Sequence, residues 1–106
     1  MEPSVKTEDF NLHDGLIKSL HVDFDKGAMV IELLYYKSQD DKIRSKLKLK
    51  FNDIKSVCSM FNLEQISKMT GYGGNINDWN HVDESDTCID LSGGYIIVKS
   101  GSLKSD

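Results

Sequence analysis

The sequence predicts an α+β, mainly β domain: an antiparallel meander, then a C-terminal hairpin, with one short helical segment between them. Three observations carry this expectation. Apolar and polar residues alternate with period two through residues 16–24 and 43–51, as in strands with one buried face. Between them, residues 28–36 (AMVIELLYY) are apolar on both alternating sets. Near the C-terminus, TCIDLSGGYIIV sets two alternating runs around paired glycines, a hairpin signature.

In the first strand, Leu16, Leu20, Val22 and Phe24 fall on one side and Ile17, Ser19, His21 and Asp23 on the other. A turn at Asp25-Lys26-Gly27 follows. The next strand offers Met29, Ile31, Leu33 and Tyr35 to one face and Val30, Glu32, Leu34 and Tyr36 to the other. Such a strand is expected at the centre of a sheet, covered on both sides. After the polar turn 38–42, Ile43, Leu47, Leu49 and Phe51 point inward and Arg44, Lys46, Lys48 and Lys50 outward. The three strands make the meander.

At residues 53–61 the period changes. Ile54, Val57, Cys58 and Phe61 stand at i, i+3, i+4 and i+7 behind Asp53, a candidate N-cap, which predicts a helix. Leu63, Ile66 and Met69 extend the pattern, while the β-branched content keeps a strand reading of the same residues open. The glycines at 71, 73 and 74 end the element. In the final hairpin, a two-residue Gly93-Gly94 turn sets Leu91 opposite Ile96 and Ile89 opposite Val98. Thr87, Ile89, Leu91, Ile96 and Val98 then share one face. The division expected is a flexible N-terminus over 1–11, one domain over 12–100 and a polar tail over 101–106.

A length of 106 residues is one domain, too short for two lobes around a deep cleft. The composition, 39% hydrophobic and 28% charged with one proline, is that of a globular chain. The longest apolar run, residues 28–36, is far short of the roughly 20 residues of a membrane span. The acidic, polar start MEPSVKTEDF lacks a signal-peptide pattern, so cytoplasmic location is the expectation. Cys58 and Cys88 are too few for a disulfide scaffold or zinc site and read as free thiols.

Charge is segregated along the chain. Residues 37–55 hold seven Lys or Arg against Asp40, Asp41 and Asp53, whereas residues 69–98 hold none against Asp78, Asp83, Glu84, Asp86 and Asp90. Two candidate surfaces follow. The acidic segment, with Tyr72 and Trp79 among Asp78, Asp83, Glu84, Asp86 and Asp90, suits recognition of a basic protein, charge steering the encounter and a ring filling a pocket. Its plainer alternative is a core Trp beside a solvated loop. The row Arg44, Lys46, Lys48 and Lys50, with Tyr35 or Tyr36 as stacking platforms, suits a nucleic-acid backbone. Against it stand the net charge of −4 and the common use of strand lysines for solubility.

Catalytic and cofactor chemistry finds little support. The stretch TGYGGNINDW has neither a Gly-Lys-Ser/Thr nor a third spaced glycine before a helix, and the acids that follow repel phosphate. His13-Asp14 lacks the further ligands of a metal dyad and reads as a turn. No spacing joins His13, His21 or His81 to either cysteine as a nucleophilic pair. NDWNHVDESD lacks the order of a calcium loop. No cofactor, metal or catalytic residue is expected.

The opening LHDGLIKSLHVDFDKGAMVIELLYY resembles the start of small β-rich bacterial proteins with a Leu-His-Asp motif and an Asp-rich hairpin, among them immunity proteins of polymorphic toxin and contact-dependent inhibition systems. FNLEQISKM, NINDW and IDLSGGYIIVKSG are compatible with the end of that pattern. The resemblance spans residues 12–100, and the middle, 53–74, departs from it. It implies a cytoplasmic protein without catalysis that binds and blocks a cognate toxin domain, such as a basic nuclease. His13 and Asp14 carry over as structural residues.

Overall fold

A computed structural model describes residues 10–38, 40–64, 75–82 and 86–105. The described residues form eight strands: β1 (Leu16–Asp23), β2 (Ala28–Tyr35), β3 (Ser45–Asn52), β4 (Ser56–Phe61), β5 (Ile76–Val82), β6 (Asp86–Leu91), β7 (Gly94–Lys99) and β8 (Ser102–Ser105). They form two four-stranded antiparallel sheets, ordered β1-β2-β3-β8 and β4-β7-β6-β5. The mainly β architecture expected from period two is present. Met29, Ile31, Leu33, Leu49 and Phe51 from the first sheet and Ile76, Ile89, Ile96 and Val98 from the second make one core, so the sheets pack face to face as a sandwich.

The chain changes sheets at two adjacent corners, β3 to β4 and β7 to β8. Gly101 N donates to the carbonyls of Asn52 (2.9 Å) and Asp53 (3.1 Å), and Lys55 N to Lys99 O (2.8 Å). Asp53 takes the left-handed conformation at the corner (φ 54°), and β4 follows in place of the expected helix, in line with the strand alternative left open for these residues. The i, i+3, i+4, i+7 spacing coincides with a strand whose Val57 and Phe61 pack inward. Leu63 and Glu64 are helical, and the glycine-rich stretch 71–74 lies outside the described residues.

Other expectations are corrected in phase or register. A bulge at Lys18 moves Leu20 and Val22 onto the face of Ile17, opposite Ile31 and Met29. Phe24 belongs to the turn and is exposed, and so is Ile43, which precedes β3. Gly27 supplies the turn's positive φ of 60°. β2 is central, but its second face, Val30, Glu32 and Leu34, is only half-buried. In the β6–β7 hairpin the turn is Ser92-Gly93, and Ile89 faces Ile96 while Leu91 faces Gly94. A slip of two residues keeps the expected inward set unchanged.

Described residues from both terminal segments join the domain. Residues 101–106, expected as a polar tail, contain β8, whose Leu103 is buried opposite Phe51. Within 1–11, Phe10 packs edge-on against Tyr35 (centroids 5.6 Å apart). Leu12 is fully buried, and the turn after it staples β1 to β5. Asp14 N donates to Ile76 O (2.9 Å), and Ile76 N to Gly15 O (2.7 Å).

Candidate protein-binding face

Period two along the second sheet decides what faces solvent. With Thr87, Ile89 and Leu91 inward, β6 turns Asp86, Cys88 and Asp90 outward, and β7 likewise exposes Tyr95, Ile97 and Lys99. Cross-strand pairing extends the surface to Asp78 and Asn80 on β5 and to Ser56, Cys58 and Met60 on β4. Ile97, Met60 and Tyr95 remain 44%, 47% and 37% exposed. The face is therefore an apolar strip with aspartates along its β6 and β5 side, where Asp86 lies opposite Lys99 of β7.

Asp78 lies directly opposite Asp90, and like charges at such positions are destabilising. A sheet that keeps this pair gives up stability on its surface, as functional surfaces do. Asp78 Oδ1 also accepts from Trp79 N (2.9 Å). Cys58 and Cys88 flank Ile97 from either side. Two strand spacings separate them, about 10 Å, beyond disulfide reach, and both are free thiols. The Cys58 thiol, 3.9 Å from the Tyr95 hydroxyl, holds that phenol above its ordinary value of 10.0 through their hydrogen bond and charge interaction, with desolvation adding to it.

Of the residues singled out in the sequence, Asp78, Asp86 and Asp90 share this face. Tyr72, Asp83 and Glu84 lie outside the described residues. Trp79 is corrected to a core residue: it is 6% exposed, faces Ile89, and its indole Nε1 donates to Phe10 O at 3.0 Å. The sequence reading missed Met60, Tyr95 and Ile97. For Tyr95 and Ile97 the signal was the second alternating set of YIIV, left over once Ile96 and Val98 are inward; Met60 joins them only through the pairing of β4 with β7.

The lysines of β3 and β8 occupy the opposite side of the molecule, while Lys99 stays on the face of the aspartates. Lys46, Lys48 and Lys50 point out from β3, Lys104 faces Lys50, and the Lys18 bulge joins them. Lys48 pairs with Glu32 at 3.6 Å. Arg44 precedes the strand and leaves the row: it stacks on Tyr36 at 4.6 Å, and its Nε donates to Asp14 O at 3.1 Å. Tyr35 is buried, so neither tyrosine offers a free stacking platform.

A hollow of about 570 Å³ lies beside His13, Asp14, Tyr36, Lys37 and Asp41. The His13 Nδ1 hydrogen-bonds Asn77 O (2.9 Å), the bulge residue of β5. The ring thus ties the N-terminal turn to that strand, as a structural residue would. Among the described residues no group of three His, Cys, Asp or Glu is placed to hold a metal ion, and no helix is long and apolar enough to cross a membrane. No family model, curated protein or solved structure matches the chain.

Proposed function

We propose that this chain is a non-catalytic binding protein that covers a basic protein surface with the outer face of its second sheet. Its role would be that of a bacterial, cytoplasmic immunity protein blocking a cognate toxin domain. One observation carries the reading: Asp78, Asp86 and Asp90 flank exposed Met60, Tyr95 and Ile97 on a single sheet face. Carboxylates at a rim steer a cationic partner, and the apolar strip supplies the dry centre of the contact. The resemblance of residues 12–100 to immunity proteins supports the choice of partner. Nucleic-acid binding through Lys46, Lys48 and Lys50 is the competing reading; it has the charge, but Tyr35 is buried and Tyr36 is covered by Arg44, which leaves neither ring beside the row for stacking.

The test is capture of partners from host lysate by the wild-type chain and by an Asp86→Lys, Asp90→Lys double variant, at low and at high salt. The wild type should retain a basic protein in equimolar amount. The variant should lose it, with at least about a tenfold weaker affinity. Retention of the same protein by both, or recovery of nucleic acid instead, removes this face from the function.

A further inference from the structure

Among the described residues four strands pair along one side only, β1 and β8 in one sheet and β4 and β5 in the other, with β1 and the start of β5 joined at a single bridge, Leu16 to Asn75. A free edge offers unpaired N–H and C=O groups, and natural sheets blunt it with charge, bulges or brevity. Three of these edges are blunted. β1 carries a bulge at Lys18, β8 is 4 residues long and holds Lys104, and β5 bulges at Asn77 beside Asp78. β4 reads SVCSMF, without charge or proline, and its pairing with β7 runs through without a register shift.

One bond fixes which backbone groups of β4 are free. Asn62 N donates to Gly93 O (2.7 Å), and backbone groups alternate in direction along an antiparallel strand. Ser56, Cys58 and Met60 therefore bond toward β7, while N–H and C=O of Val57, Ser59 and Phe61 face outward. No described strand pairs with them. A second feature adjoins this edge. A groove of about 430 Å³ has Val22, Phe24, Ala28, Ile54 and Val57 in its wall, and Phe24 at its rim is 92% exposed.

We propose that β4 pairs with β4 of a second copy of this chain, antiparallel about a twofold axis at Ser59, joining the two second sheets into one continuous sheet. Charge selects this occupant. β4 laid on itself opposes no like charges, whereas self-pairing of the other edges brings Lys18, Lys104 or Asp78 toward its own copy. In this register Val57 meets Phe61 of the second copy, and Cys58 meets its Met60. Apolar side chains meet on both faces of the seam, and the phenyl ring is laid beside Val57 at the groove. The contact is isologous and closes at two copies. The dimer sets the two Met60-Tyr95-Ile97 strips side by side at its centre and leaves the Asp78-bearing edges at its ends.

Sedimentation equilibrium of the full chain over a range of concentrations tests this. A 12.0 kDa species should give way to one of twice that mass, with a dissociation constant on the order of 10 μM for so small a seam. Ser59→Pro removes an outward N–H while sparing the bonds to β7, and should weaken the dimer at least about tenfold with an unchanged circular dichroism spectrum. Ser59→Lys serves the same purpose should the proline disturb folding. Register has its own readout. In a Cys88→Ser background, Met60→Cys should give a disulfide-linked dimer on mild oxidation, because position 60 lies opposite Cys58 of the second copy at a non-hydrogen-bonded site with Cα atoms about 4.5 Å apart. A monomer at every concentration up to about 1 mM, or a dimer that survives both Ser59 variants, overturns the proposal. The inference stands apart from the proposed function: Asp86→Lys with Asp90→Lys should leave the dimer intact.

Discussion

Gly93 and Gly94 are neighbours that answer different requirements. Gly93 holds the positive φ of the hairpin turn (99°). Gly94 is already in β7, and a Cβ there would collide with the Met60 carbonyl oxygen of β4. Gly94→Ala should therefore cost about 2–3 kcal/mol, a Tm loss on the order of 10 °C for a domain of this size. Gly27→Ala, at φ 60° but with open space around it, should cost only about 1 kcal/mol. Thermal unfolding of both variants checks the order, and equal losses would show that strand approach at Gly94 is not the constraint. Tyr95 offers a second residue-level test. Its phenol is raised by Cys58, so the neutral form is favoured by folding. The associated stability is fully present below the unfolded value and fades as pH climbs through the folded one. Cys58→Ala should bring the Tyr95 ionisation back down, read as phenolate absorbance against pH, with the other three tyrosines unmoved.

At the scale of elements, what was legible depended on period. β1, β3 and β6 alternate in sequence because each buries one face, β2 and β7 stand out as apolar runs beside turn glycines, and all were readable to within a turn residue or a bulge. The Lys18 bulge carries no sequence mark that alternation alone detects, hence the phase error at Leu20 and Val22. β4 was misread because Ile54, Val57, Cys58 and Phe61 satisfy a helical spacing by coincidence, while its other face holds exposed Cys58 and Met60 in place of polar residues. β5 hid because a bulge sits between its two inward anchors, Ile76 and Trp79. β8 has four residues and one anchor, too few for any period. That anchor is testable: Leu103 is 1% exposed against Phe51, so Leu103→Ala should cost about 2–4 kcal/mol in urea unfolding. A solvated tail would show no loss. For the candidate face, Asp78, Asp86 and Asp90 were readable as a charge excess and Tyr95 and Ile97 as the outer set of an alternating strand, but bringing Met60 beside them needed the sheet order, which no local pattern contains.

For the molecule as a whole, the two charge segments become two opposite faces. The lysines of β3 and β8 cover one side of the sandwich and the aspartates of β5 and β6 the other, across a shortest dimension of 20 Å. Whether a partner senses one face or both then depends on salt. At about 0.1 M the Debye length is about 10 Å, shorter than that thickness, and at about 0.01 M it is about 30 Å, longer than it. A basic partner approaching the aspartates should therefore be indifferent to the far lysines at physiological salt and repelled by them at low salt. Lys46→Glu with Lys48→Glu should change its association rate less than about twofold at 0.15 M and raise it several-fold at 0.01 M. Asp86→Lys with Asp90→Lys should slow association at both. Stopped-flow rates for the captured partner at the two salt concentrations separate the cases. A lysine variant that slowed association at 0.15 M would put the partner on the first sheet and exchange the roles of the two faces.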